Sequence, residues 1–129
     1  MDSEPSPRPH KVIVCDDAMG FPALAAAWLR EASDIELAGI ATSVRELVAM
    51  MREVQPDAVV LDHMLPEGPS SPERVAQIRE LAPGVRVVLV SSLPPADLAA
   101  QAESVGADAW CSKMTTAHTL QAVVRGTAA

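Results

Sequence analysis

A chain of 129 residues carrying a net charge of −7 has the length of one domain, enough to bury roughly two-thirds of its unfolded surface without disulfide staples. Phe21, Trp28 and Trp110 are its only aromatics, so stacking platforms and attraction to a phosphate backbone are both missing, which argues against direct nucleic-acid binding by this chain. Cys15 and Cys111 fall inside apolar runs and read as small buried hydrophobes of a reducing compartment. With no signal peptide and no apolar run of about 18 residues, a soluble, cytoplasmic chain with no membrane segment is expected.

Residues 1–10, with Pro5, Pro7 and Pro9 among polar neighbours, are expected to be a disordered lead-in, followed by a domain over 11–126 and a short tail over 127–129. Val12 to Cys15 is an apolar run ending in the acid pair Asp16-Asp17, the pattern of a short buried strand. Pro22 suits the first turn of a helix that carries Leu24, Ala27 and Trp28. Ile35 to Ala41 alternates weakly and reads as an edge strand. Ser43 to Glu46 is a capping box, and Val44, Leu47, Val48, Met51 and Val54 form one helical stripe behind it.

Ala58-Val59-Val60-Leu61, between Asp57 and Asp62, is apolar on both faces, as a central parallel strand must be. Residues 65–69 then read as a loop stiffened by Pro66 and Pro69. Ser71 as N-cap and Pro72 at the first position start a helix bearing Val75, Ile78 and Leu81 or Ala82, which Pro83-Gly84 stops. Val85 to Val90 is the fourth strand, followed by Ser91-Ser92. Pro94-Pro95 opens a helix through Leu98, Ala102 and Val105, closed by Gly106. Ala107 to Ser112 is the fifth strand, Lys113 follows it, and Thr115 or Thr116 caps a last helix with Leu120, Val123 and Val124.

Five strand-helix units in strict alternation argue an α/β fold, a parallel sheet with helices on both faces and right-handed crossovers. In a doubly wound sheet of order 2-1-3-4-5, ligands gather at the carboxyl ends of strands one and three. Asp16, Asp17 and Asp62 converge there, with Ser91 and Lys113 arriving from neighbouring strands. Three adjacent carboxylates repel unless a cation sits among them. Mg²⁺ fits, because it accepts a few protein oxygens and keeps waters and a phosphate oxygen. Lys113 and the Ser91 hydroxyl would bind a phosphoryl group, and the carboxylate of Asp62 would attack it.

On these residues the chain resembles the receiver domain of bacterial two-component response regulators, over roughly Lys11 to Arg125. The acid pair Asp16-Asp17, Asp62, Pro66 four residues later, Ser91 followed by small Ser92, and Lys113 match in order. The resemblance implies a flavodoxin-like receiver fold, phosphorylation on Asp62 by a sensor histidine kinase or phosphotransfer protein, and Mg²⁺ held by Asp16, Asp17, Asp62 and the Met64 backbone carbonyl. It also implies a switch made of Ser91, Ser92 and Trp110, a module that is not a conventional enzyme, and a possible homodimer through the fourth and fifth helices.

Leu65, Ser70 and Met114 depart from the family's usual Met, Gly and Pro. His63 and His118 lack companion ligands and read as partly exposed histidines. Two alternatives stand within the family: a receiver fragment of a helix-turn-helix transcription factor, since the first and second helices somewhat resemble receivers that precede such a domain, and a pseudo-receiver that only binds protein. An aspartate-nucleophile phosphatase would need an acid at Met64.

Overall fold

A computed structural model describes residues 8–127. Its main sheet has five parallel strands, β1 (His10–Cys15), β2 (Ile35–Ala41), β3 (Ala58–Asp62), β6 (Arg86–Ser91) and β7 (Ala109–Ser112), in the order β2-β1-β3-β6-β7. Counted within this sheet, the order is the expected 2-1-3-4-5. The remaining two strands, β4 (Met64–Leu65) and β5 (Gly68–Pro69), form a small antiparallel hairpin that was expected to be plain loop. Pro66 and Gly68, the latter at φ 111°, provide its turn chemistry.

The helices are α1 (Phe21–Arg30), α2 (Val44–Glu53), α3 (Pro72–Leu81), α4 (Pro95–Val105) and α5 (Ala117–Arg125). Ser43, Ser71 and Thr116 accept from the backbone amides of Glu46, Arg74 and Thr119, so Thr116 rather than Thr115 is the last N-cap. Gly106 and Gly126 end α4 and α5 in the left-handed conformation, which glycine adopts without a Cβ clash.

Because side chains alternate along a strand, the sheet feeds two cores. Ile13, Val59, Leu61, Val87 and Leu89 pack with Leu47, Met51, Val75, Ile78 and Leu98 of α2, α3 and α4. Val12, Val14, Val60, Val88 and Val90 pack with Phe21, Ala25, Leu29, Leu120 and Val124 of α1 and α5. Both cysteines are buried and unpaired, and burial pushes the Cys15 thiol up to about 12.

Several boundaries differ from the sequence reading. Strand β1 starts at His10, one residue before the expected domain start, because His10 N donates to Asp34 O and its ring nitrogen meets Val124 O at 2.9 Å. Arg8 forms a 2.8 Å ion pair with Asp57. Of the lead-in expected over 1–10, only residues 1–7 lie outside the described residues, as do 128–129 of the tail. Strand β7 begins at Ala109, not Ala107, since Asp108 turns its carboxylate back to the Val87 amide and to Arg79. Among the described residues no helix is long and apolar enough to cross a membrane.

Candidate functional site

Parallel register brings the acids together. Cys15 lies opposite Leu61, so the residues that follow, Asp16 and Asp62, leave adjacent strands side by side, about one strand spacing of 4.8 Å apart. Asp16 and Asp62 are buried and Asp17 is exposed, yet one carboxylate oxygen from each of the three lies within 4.8 Å of the others. Asp62 pairs in register with Val90, and Ser91 with Ser112. These pairings bring Ser91 and Lys113 to the same end of the sheet.

The Lys113 ammonium answers the buried charge. Nζ stands 2.8 Å from Asp16 Oδ2 and 3.3 Å from Asp62 Oδ1, and its own amide donates to Ser91 O. Asp16 Oδ1 accepts from the Ala18 amide. Asp16 Oδ2 is fully buried, and among the described residues its ion-pair partner is the Lys113 ammonium at 2.8 Å. Phe21 places its ring 5.5 Å beneath Nζ, within cation-π range.

The titration behaviour follows from this packing. Burial, then the Asp16 carboxylate, pushes Asp62 up to about 6, against the lowering influence of Lys113. For Lys113, burial disfavours the charged form, but Asp16 and Asp62 outweigh it and raise its pKa. The lysine therefore stays charged and the phosphoacceptor candidate is the strained member of the group.

An oxygen-only donor set with two buried carboxylates and one solvent-facing carboxylate, three acids against a single ammonium, suits a hard divalent ion. The hairpin offers a further oxygen. Ser70 N donates to His63 O at 2.7 Å, while His63 N donates away to Val90 O; in an antiparallel ladder, a bond between the residues on either side flanks a non-hydrogen-bonded pair. The next pair, Met64 with Pro69, is therefore a non-bonded one, so Met64 turns its carbonyl out of the hairpin. Pro69, which has no N–H to give, loses nothing there.

Other residues read as site members fall nearby. The Ser91 hydroxyl, buried, accepts from the Leu93 amide at 3.0 Å, and Ser92 is exposed. Trp110 is 38% exposed on β7, not buried as a structural tryptophan would be. Met64 is 54% exposed and His118 is exposed, while half-buried His63 bonds Ser70 Oγ at 2.7 Å. Phe21 was not legible as a site residue, for its only signal is that it precedes Pro22 at a helix start.

Compared with known families, residues 12–125 match the response regulator receiver domain. The chain belongs to that family. Receiver domains are the phosphoacceptor modules of two-component response regulators. The response regulator protein VraR of Staphylococcus aureus is 29% identical to this receiver over 117 residues, covering 91% of the chain and 56% of VraR. The chain thus spans about half the length of the curated relatives it matches. Among solved structures, the signal receiver domain of NarL from Mycobacterium tuberculosis superposes with a TM-score of 0.80 at 24% identity, covering 93% of this chain and 96% of that one. A response regulator from Burkholderia pseudomallei, solved with a phosphorylated aspartic acid, calcium ion and citrate, gives 0.71 at 20% identity, covering 88% and 65%. At these identities the solved structures establish the receiver fold.

Proposed function

We propose that this receiver is a phosphorylation-controlled switch in which Asp62 is the phosphoacceptor. The observation that carries the reading is the buried group of Asp16, Asp62 and Lys113, in which two carboxylates share one ammonium beside exposed Asp17. Asp62 in its ionised form attacks phosphorus, one oxygen-phosphorus bond forms, and the bond to the donor nitrogen or oxygen breaks, leaving an acyl phosphate. Lys113 and the Ser91 hydroxyl hold the transferred oxygens. Asp16, Asp17, Asp62 and the Met64 carbonyl would hold Mg²⁺, which when bound supplies charge neutralisation for the incoming group.

The donor in this reading is the histidine of a sensor kinase or phosphotransfer protein, in the bacterial cytoplasm, and the module is not a turnover enzyme. The calcium and phosphorylated aspartic acid of the Burkholderia relative are in keeping with a divalent ion beside such a residue. With a small-molecule phosphodonor, the protein is expected to gain the mass of one phosphoryl group, only when Mg²⁺ is present, and to lose it in hydroxylamine. Continuous turnover of the donor would point to a phosphatase, and no gain at all to a protein-binding pseudo-receiver.

Trp110 supports an output through α4, β7 and α5. If Ser91 leaves its turn with Leu93 to meet the phosphoryl oxygen, space opens beside β7 into which the half-exposed indole can turn. A ligand shifts such an equilibrium only by its differential affinity for the two states, and the Ser91 bond supplies that difference. In a Trp28→Phe background, a phosphoryl mimic with Mg²⁺ is expected to change the Trp110 emission, and Ser91→Ala to diminish the change. An emission that stays constant would remove Trp110 from the switch. The same face, between α4 and α5, is the proposed surface for a homodimer.

A further inference from the structure

We infer that Glu67 is a positioning residue that aims the loop following Asp62 by tying it to the start of α2. The inference rests on the reading of the acidic group as a Mg²⁺ site and adds to it a residue of this chain. The β4-β5 hairpin has two residue pairs, too few to hold a shape unaided. Glu67 sits at its tip. Its Oε1 accepts from the Val44 amide at 3.0 Å and its Oε2 from the Arg45 amide at 3.2 Å.

Those are the first two N–H groups of α2, which have no partner within the helix. The third, at Glu46, is taken by Ser43 Oγ at 3.1 Å. A carboxylate from 22 and 23 residues away thus completes the helix cap and meets the positive end of its dipole. These hydrogen bonds hold the Glu67 carboxyl below its usual range. On the other side, Arg74 Nη1 donates to Gly68 O at 2.9 Å, and the His63-Ser70 pair closes the base.

The hairpin is therefore tethered at its base, to α3 and to α2, and Glu67 makes the α2 tether. Met64, whose carbonyl points out of this hairpin, lies between base and tip. Its position relative to Asp62 depends on the tilt of the hairpin, and Glu67 sets that tilt. Holding the carbonyl in place before the ion arrives removes an ordering cost from binding. Asp62 and Lys113 need no help from Glu67, so the phosphoryl chemistry itself is unaffected once the metal is bound.

The test compares Glu67→Ala and Glu67→Gln with Ser43→Ala, which frays the same helix end without touching the hairpin. Two readouts are taken against Mg²⁺ concentration in the full chain: the melting temperature and the initial rate of phosphorylation by a small-molecule donor. Glu67→Ala is expected to raise the half-saturating Mg²⁺ concentration by about three- to tenfold, below the usual effect of residues touching a metal ligand directly. Its rate at saturating Mg²⁺ should stay within about twofold of wild type, since only uniform binding is lost. Glu67→Gln, which retains one acceptor, should fall between, and Ser43→Ala should leave the half-saturation point in place. An unmoved half-saturation point in Glu67→Ala, or an equal shift in Ser43→Ala, would reduce Glu67 to a helix cap and overturn the inference. A wild type whose melting and phosphorylation both ignore Mg²⁺ would overturn the metal reading, and the Glu67 inference with it.

Discussion

Replacing Asp62 with asparagine is expected to abolish acyl-phosphate formation and, in metal-free buffer at pH 7, to make the protein more stable. The amide is nearly isosteric but neither nucleophilic nor charged. Asp62 is held at about 6 against an ordinary 3.8 by burial and by Asp16, so its ionised form opposes folding. At about 1.4 kcal/mol per pH unit the displacement sets an upper limit of about 3 kcal/mol. Solvent at the cleft mouth reduces this to about 1–2 kcal/mol, or about 4–8 °C in melting temperature.

The sign of the pH dependence follows from the direction of that displacement. Between pH 3.8 and about 6 the folded state binds more protons at Asp62 than the unfolded state does, so stability falls as pH rises through this window. The advantage of Asp62→Asn should therefore be full at pH 7 and nearly absent at pH 4. Thermal denaturation in a chelator at both pH values checks it. A substituted protein that is less stable at pH 7, or that still carries hydroxylamine-labile phosphate, would contradict the assignment of Asp62.

The opposite substitution at the partner should be costly. Lys113→Met leaves Asp16 and Asp62 facing each other without the ammonium that lies 2.8 and 3.3 Å away. Breaking one side of a buried ion group costs about 3–5 kcal/mol in well-sealed sites. Here protonation of Asp62 offers an escape, and about 2–3 kcal/mol is expected at pH 7 in a chelator. Millimolar Mg²⁺ should restore much of the loss, because the cation replaces the missing charge and stabilises in proportion to the logarithm of its concentration. Urea melts with and without Mg²⁺ measure both quantities, and a variant as stable as wild type in the chelator would mean that the ion pairs are immaterial.

The strands, the helices and the acid group could be read from the sequence because each leaves a local mark. Val59, Val60 and Leu61 are apolar in succession, Asp62 follows at once, and the alternation of strands with capped helices fixes the topology. What was not legible depends on distant partners. Glu67 and Val44 are 23 residues apart, and nothing in Leu65-Pro66-Glu67-Gly68-Pro69 reveals a hairpin whose strands have two residues each. The Asp108 carboxylate, by capping the Val87 amide, shortens β7 in a way that no pattern of hydrophobicity records. Trp110 sits among apolar neighbours like a core residue, but β7 ends the sheet and an edge strand leaves it half in solvent.

The lysine lodged between Asp16 and Asp62 acts as an ion-exchange group bound to its own resin. An incoming sodium or potassium ion could only trade one positive charge for another, against a competitor whose four-carbon tether keeps it permanently concentrated at the site. On the proposed reading, a divalent ion would add a charge in the exchange and leave the displaced ammonium free to face phosphoryl oxygens. On that reading, selection by valence would follow from the side chain that fills the site, and the salt of an ordinary buffer would pass this receiver unnoticed.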